Sequence, residues 1–261
     1  MTTADDLRNA RSLKGRRALV TGAGSGMGRA AARIFAAEGA AVAVTDVNEE
    51  SARAVADEIK RAGGIAEAWK LDVSDRADVR AVVSDVAAKF GGLDILVNNA
   101  GISVRLMIDE AEYEAYWDRA LGVMLSGTQF MIRAALPHLR KSDGARIVNI
   151  ASTEALGATA GHSAYSAAKA GIAGFTRSLA VELGKENIIV NCICPGPIHT
   201  GMTARLADAD KDVYAKRRTA LRRYGEPEEV AHITVSLCLP AASFITGAVI
   251  PVDGGLMARN A

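Results

Sequence analysis

The chain has 261 residues, 49% of them hydrophobic, with 31 Lys and Arg against 30 Asp and Glu and a formal net charge of +1. This length can bury a sizeable core as one α/β domain, and near-neutral charge without a broad basic tract gives no support for nucleic-acid binding. No apolar run approaches the roughly 18 residues of a membrane span, and the N-terminus shows no signal-peptide core, so a cytoplasmic protein without a membrane partner is expected.

Residues 1–12 are polar and read as a loosely held extension, leaving 13–261 as a single domain. Strand-like runs fall at 16–22, 41–46, 65–71, 93–98, 145–151, 188–194 and 248–251. Helical periodicity falls at 26–38, 49–62, 75–90, 109–139, 163–184 and 226–238,. This alternation predicts a Rossmann-like, doubly wound parallel sheet of about seven strands with helices on both faces. No internal repeat, low-complexity tract or linker interrupts it.

The first chemically informative stretch is Thr21-Gly22-Ala23-Gly24-Ser25-Gly26-Met27-Gly28, between the first strand and an Ala-rich helix. Glycines there let backbone amides approach a pyrophosphate, and the helix start favours its negative charge. The second strand ends at Asp46, whose carboxylate can accept hydrogen bonds from an adenosine ribose and repel a 2′-phosphate. No Arg or Lys follows at once, so NAD(H) is favoured over NADP(H).

The second stretch is Tyr165-Ser166-Ala167-Ala168-Lys169, preceded by Ser152 at the end of the fifth strand. Residues i and i+4 share a helix face, which brings the ammonium near the phenol. A neighbouring cation favours the phenolate and is expected to lower the tyrosine pKa.

Taken together, these motifs resemble the short-chain dehydrogenase/reductase family from about Leu13 to Met257. The resemblance rests on Thr21, Gly22, Gly26 and Gly28, on Asp72-Val73, and on Asn98-Asn99-Ala100-Gly101. It also includes Ser152, Tyr165 and Lys169, with Pro195-Gly196 after the sixth strand. It implies an alcohol–ketone oxidoreductase in which Tyr165 is the acid/base, Ser152 binds the substrate oxygen and Lys169 binds the nicotinamide ribose. It places Gly22, Ser25, Gly26, Met27, Gly28, Asp46, Asp72, Val73, Asn99, Ala100, Gly101, Pro195, Gly196, Ile198 and Thr200 around NAD. The substrate pocket would lie in residues after Ser152 and in a covering segment at 197–224. Glu154, Leu156, His162, Pro197, Met202 and Leu206 are its candidate lining, suited to an apolar, cyclic or steroid-like secondary alcohol. The resemblance further implies a homotetramer, with a dimer as the second choice.

One position departs from the family pattern: Met124 stands where the family places an Asn that supports a water chain to the lysine. Two other readings of the chain differ from alcohol oxidation. Lys216-Arg217-Arg218 could hold the phosphates of a 3-oxoacyl thioester, making the protein a thioester reductase, and the fold could serve as a non-catalytic NAD-binding sensor or scaffold. Cys192 and Cys194 share a strand face, but no third and fourth ligand joins them. No metal site is expected, and buried free thiols are the reading for all three cysteines.

Overall fold

Seven short apolar runs pair in parallel because each is followed by a segment that returns the chain across a face of the sheet. The computed structural model describes residue 3 and residues 9–259. The expected extension therefore lies mostly outside the described residues. Its described end is held: Ala10 accepts a hydrogen bond from the Ala241 N–H at 2.8 Å, and Leu13 is fully buried.

The strands are β1 (Arg17–Thr21), β2 (Ala41–Asp46), β3 (Ile65–Lys70), β4 (Ile95–Asn98), β5 (Arg146–Ile150), β6 (Ile189–Pro195) and β7 (Val249–Val252). The α-helices are α1 (Gly26–Ala37), α2 (Glu49–Arg61), α3 (Arg76–Phe90), α4 (Tyr113–Ala120), α5 (Gly127–Leu139), α6 (Ser163–Leu183), α7 (Asp208–Arg218) and α8 (Pro227–Cys238). The sheet order is β3-β2-β1-β4-β5-β6-β7, and every neighbouring pair is parallel. From β1 the chain winds outwards to β3 and then returns to β4 beside β1. The loops leaving β1 and β4 diverge at this reversal and open a crevice at their carboxyl ends.

Alternation along the central strands feeds two apolar layers. Ala18 and Val20 of β1 pack with Phe35 of α1, Val55 and Ile59 of α2, and Val230 and Val235 of α8. Leu19 faces the other layer, with Val83 and Val86 of α3, Met131 and Leu139 of α5, and Leu179 and Leu183 of α6. A polar tie crosses the second layer. Asn98 Nδ2 donates to Asn149 Oδ1 at 2.8 Å, Asn149 Nδ2 donates to Thr176 Oγ1 at 2.9 Å, and Thr176 is on α6. This chain of amides fixes α6 relative to the strand ends from which the crevice opens.

Two segments differ from the sequence expectation. The single helix expected over 109–139 begins at Tyr113 and contains a π-helical stretch, Leu121–Ser126, between α4 and α5. A π turn inserts one extra residue, which shifts the phase of the helix without ending it, so the two α-helices on either side read as one run. The covering segment also holds α7, which was not expected. Only Lys211 and Ala215 of α7 are buried, so its apolar stripe is too thin for periodicity to reveal,. Its end charges carried the missed signal: Asp208 and Asp210 occupy the first turn and Lys216, Arg217 and Arg218 the last, complementing the helix dipole,.

Candidate active site

The loops after β1 and β4 are joined by side chains of the motif itself. Thr21 Oγ1 accepts from the N–H groups of Asn99 and Ala100, both at 3.0 Å. Asn99 Nδ2 donates to the carbonyls of Thr21 at 2.9 Å and Gly22 at 3.1 Å. Gly22 and Gly26 take φ values of +61° and +51°, a region that favours glycine,. Gly28 is small for a different reason: a Cβ there would stand 2.2 Å from the Gly22 carbonyl oxygen. The first turn of α1 has neither an acidic residue nor a side-chain cap, so its amides remain available to an anion,.

These loops bound a cleft of about 670 Å³ that runs from Asp46 and Asp72 to Tyr165 and Lys169. Of the expected cofactor residues, Gly22, Ser25, Gly26, Met27, Asp46, Asp72, Val73, Asn99, Ala100, Gly101, Tyr165, Lys169 and Thr200 line it. Asp46 is held at its rim, accepting from the N–H groups of Gly24 at 3.0 Å and Asn48 at 2.9 Å. Gly28 packs beneath the loop. Pro195, Gly196 and Ile198 do not line the cleft. A Cβ on Gly196 would stand 2.7 Å from Asp253 Cα, so this turn fits against the segment after β7. Ile198 is buried, and its carbonyl accepts from Thr203 Oγ1 at 2.8 Å. The cleft also contains residues that the motifs did not indicate, including Ile102, Val104, Arg119, Val123 and Ala151. Most of these sit within a few residues of a strand end or motif, and α4 supplies Arg119.

At the inner end, Ser152 caps the short 3₁₀ turn Thr153–Ala155 by accepting from the Glu154 N–H at 3.2 Å. The Ser152 side chain also lies beside the Tyr165 hydroxyl, whose ionised form it favours. Lys169 is 4% exposed and donates from Nζ to the Ile150 carbonyl at 2.7 Å. Its Nζ lies 5.6 Å from the centre of the Tyr165 ring.

The expected lowering of the Tyr165 pKa is not met in the protein by itself. Burial pushes the phenol up to about 12, and Ser152 only partly opposes that shift. Burial also pulls Lys169 down to about 8, because a low-dielectric site disfavours the ammonium,. Lys169 directs its hydrogen bond at a carbonyl of the fifth strand rather than at the phenol.

The candidate substrate residues divide. Met202 lines the cleft. Leu156 and Leu206 are exposed side chains outside its lining. Glu154 accepts from Thr159 N at 2.9 Å, Thr159 Oγ1 at 2.7 Å and Ser166 Oγ at 3.0 Å, pinning the loop to α6. The His162 ring centre is 6.0 Å from that of Tyr165, and burial holds its pKa below the ordinary value. Pro197 lines a separate cavity of about 400 Å³ with Leu221, Val252 and Asp253, so it does not face the cleft.

Met124 lies in the π-helical stretch and is fully buried. Its carbonyl accepts from Thr128 Oγ1 at 2.7 Å. Both its Sδ and Lys169 Nζ crowd Gly101, within 3.7 and 3.6 Å of where a Cβ would sit. Met124 thus brings a thioether, a weak acceptor, to the Gly101 side of the site that Lys169 also approaches,. Cys192 and Cys194 are free and fully buried on β6, and no group of three or more metal-ligating side chains occurs among the described residues.

A glycine-cradled cleft that ends on Tyr165 and Lys169, with Ser152 beside Tyr165, has the form of a dinucleotide-binding site next to an acid–base group. The family model described as enoyl-(acyl carrier protein) reductase matches residues 22–257. The chain is 42% identical over 242 residues to meso-2,3-butanediol dehydrogenase of Serratia marcescens, covering 93% of this chain and 94% of that protein. It is 37% identical over 245 residues to a 3-oxoacyl-(acyl-carrier-protein) reductase of Thermotoga maritima, covering 94% and 99%. A crystal structure of a dehydrogenase/reductase from Sinorhizobium meliloti 1021 superposes with a TM-score of 0.91 at 39% identity, covering 97% of this chain and 99% of that one. The chain belongs to the short-chain dehydrogenase/reductase family, whose members are nicotinamide-dependent oxidoreductases.

The geometry predicts that Met124→Asn leaves the pH–rate profile unchanged, because Lys169 is already held by the Ile150 carbonyl. A profile displaced by the substitution would show instead that the thioether controls proton exchange at Lys169.

Proposed function

We propose that the protein interconverts a secondary alcohol and a ketone with NAD(H), using Tyr165 as the acid/base and preferring an apolar, cyclic or steroid-like substrate. The observation that carries this reading is the contact of Ser152 with Tyr165 at one end of a cleft whose other end presents the Asp46 carboxylate.

Gly22, Gly26, Asp46, Asp72, Val73 and Asn99 would hold the cofactor's nucleotide portion, and Lys169 its nicotinamide ribose. Bound there, NAD(H) supplies the hydride chemistry that no side chain provides. The remaining work is one proton and one oriented oxygen. In oxidation Ser152 hydrogen-bonds the substrate hydroxyl while the Tyr165 phenolate takes its proton. In reduction the neutral Tyr165 returns that proton to the developing alkoxide. The Lys169 ammonium stabilises the phenolate, and a positively charged nicotinamide ring nearby favours it further. The sign of the pH dependence follows. Oxidation needs the phenolate, which exists above the tyrosine pKa, so its rate rises with pH. Reduction needs the phenol and weakens in the same direction.

Asp46 supports NAD over NADP, since a fixed carboxylate would repel a 2′-phosphate. The exposed apolar side chain of Met202, on the cleft lining, supports an apolar substrate. A second reading, reduction of a 3-oxoacyl thioester, is favoured by the Thermotoga relative and by Lys216, Arg217 and Arg218 on the last turn of α7. The intact Ser152, Tyr165 and Lys169 weigh against a binding-only protein. A homotetramer is the assembly proposed, with a dimer second.

A panel of secondary alcohols, cyclic ketones and 3-oxoacyl thioesters, run with NAD(H) and NADP(H), tests this reading. It should give turnover on an alcohol or ketone with NAD(H) ahead of NADP(H). Tyr165→Phe should bind NADH normally and lose about 10²–10⁴-fold in kcat. Activity close to wild type in that variant would remove Tyr165 from the chemistry. Preferred turnover of the thioester would select the second reading, and NADH binding without turnover across the panel would select the sensor.

A further inference from the structure

Among the described residues, the cleft has two cationic side chains, Lys169 at the inner end and Arg119 on α4. Lys169 is engaged by the Ile150 carbonyl. Arg119 forms no hydrogen bond or ion pair with any described residue, although it lines a wall that also carries carboxylates. Its helix is firmly placed: the Tyr116 hydroxyl, one turn earlier, accepts from the Val104 N–H at 2.9 Å and ties α4 to the chain leaving the Asn99–Gly101 loop.

Val123 lines the same cleft four residues after Arg119. The neighbouring Gly127 abuts the opposite wall, where a Cβ would stand 3.0 Å from the Val73 carbonyl oxygen. The helix after Val123 thus touches the backbone of Val73, and Val123 packs against the apolar cluster that includes Val73. Asp72 Oδ1 is occupied by Ser74, accepting from its N–H at 2.9 Å and its hydroxyl at 2.6 Å. This part of the cleft combines an apolar Val123 that packs towards Val73, a carboxylate edge, and the guanidinium of Arg119, which is without a partner among the described residues. Such a slot suits a flat, electron-rich heterocycle better than a phosphate, because the neighbouring carboxylates of Asp46 and Asp72 disfavour an anion.

We infer that Arg119 is an adenine-binding residue that lays its guanidinium plane against the base while Asp72 and Val73 meet the base's edge. The inference rests on the nicotinamide-dinucleotide reading of the cleft and holds for either phosphorylation state of the cofactor. Arginine suits the role through its shape as well as its charge: the guanidinium is planar, always protonated and weakly hydrated, so it stacks on π faces. A lysine at this position keeps the charge and loses the plane.

Equilibrium binding of NADH, followed by its fluorescence, and of ADP-ribose, followed by competition against NADH, tests this on wild type, Arg119→Ala and Arg119→Lys. ADP-ribose retains the adenine half and lacks nicotinamide. Arg119→Ala should weaken both ligands by the same factor, about fivefold to tenfold, with an unchanged melting temperature of the protein alone. Arg119→Lys should recover only part of that loss. Three results would overturn the inference: affinities within about twofold of wild type in the alanine variant, loss confined to NADH, or full recovery by lysine. A wild-type protein that binds neither NADH nor NADPH would overturn the dinucleotide reading itself and the role of Arg119 with it.

Discussion

The site depends on one buried hydrogen bond, from Lys169 Nζ to the Ile150 carbonyl at 2.7 Å. An ammonium shielded from water is costly unless a dipole or charge receives it. The last carbonyl of β5 does so, and in doing so it fixes the face of α6 that also carries Tyr165. Ser152 leaves the same strand two residues later, so one strand end determines where all three side chains of the trio can stand. The Asn98–Asn149–Thr176 tie repeats the coupling one layer deeper, between the same strand and the same helix.

That arrangement produces a tension that the chemistry can use. Burial raises Tyr165 to about 12 and lowers Lys169 to about 8, so the protein by itself holds a neutral phenol beside a weakened cation. A positively charged ligand in the cleft would favour the phenolate, so its activation is expected to depend on the cofactor rather than on the protein alone. Met124 fits the same logic. Its side chain offers only a thioether, a weak acceptor, and its carbonyl already accepts from Thr128 Oγ1, while Lys169 bonds the Ile150 carbonyl,.

Much of this was legible in the sequence because the motifs sit where strands stop. The order of strands and helices, the glycine loop, Asp46 and the Ser152, Tyr165 and Lys169 trio all follow from short patterns with fixed spacing. What stayed hidden was set by tertiary packing. The π-helical stretch shifts the phase of the segment without ending it, so the run over 109–139 was read as one helix,. Helix α7 buries too few residues to show a stripe. Ile198 looks like a neighbour of the cofactor along the chain and Pro197 like part of the substrate pocket, yet the turn against the segment after β7 directs them elsewhere. Arg119 belongs to no motif and reaches the cleft only because Tyr116 anchors α4 beside it. The direction of the tyrosine shift was missed because adjacency of a lysine says nothing about how much water both groups lose.

The central claim is that Tyr165 is a half-buried, neutral phenol in the protein alone and ionises more readily once the oxidised cofactor is bound. An ultraviolet difference titration of tyrosinate absorbance, wild type minus Tyr165→Phe, reads that single phenol directly. The account predicts no Tyr165 signal below about pH 10 in the protein alone and an ionisation brought below it by saturating NAD⁺. A Tyr165 that ionises near pH 7 without the cofactor, or one that NAD⁺ leaves unmoved, would contradict it.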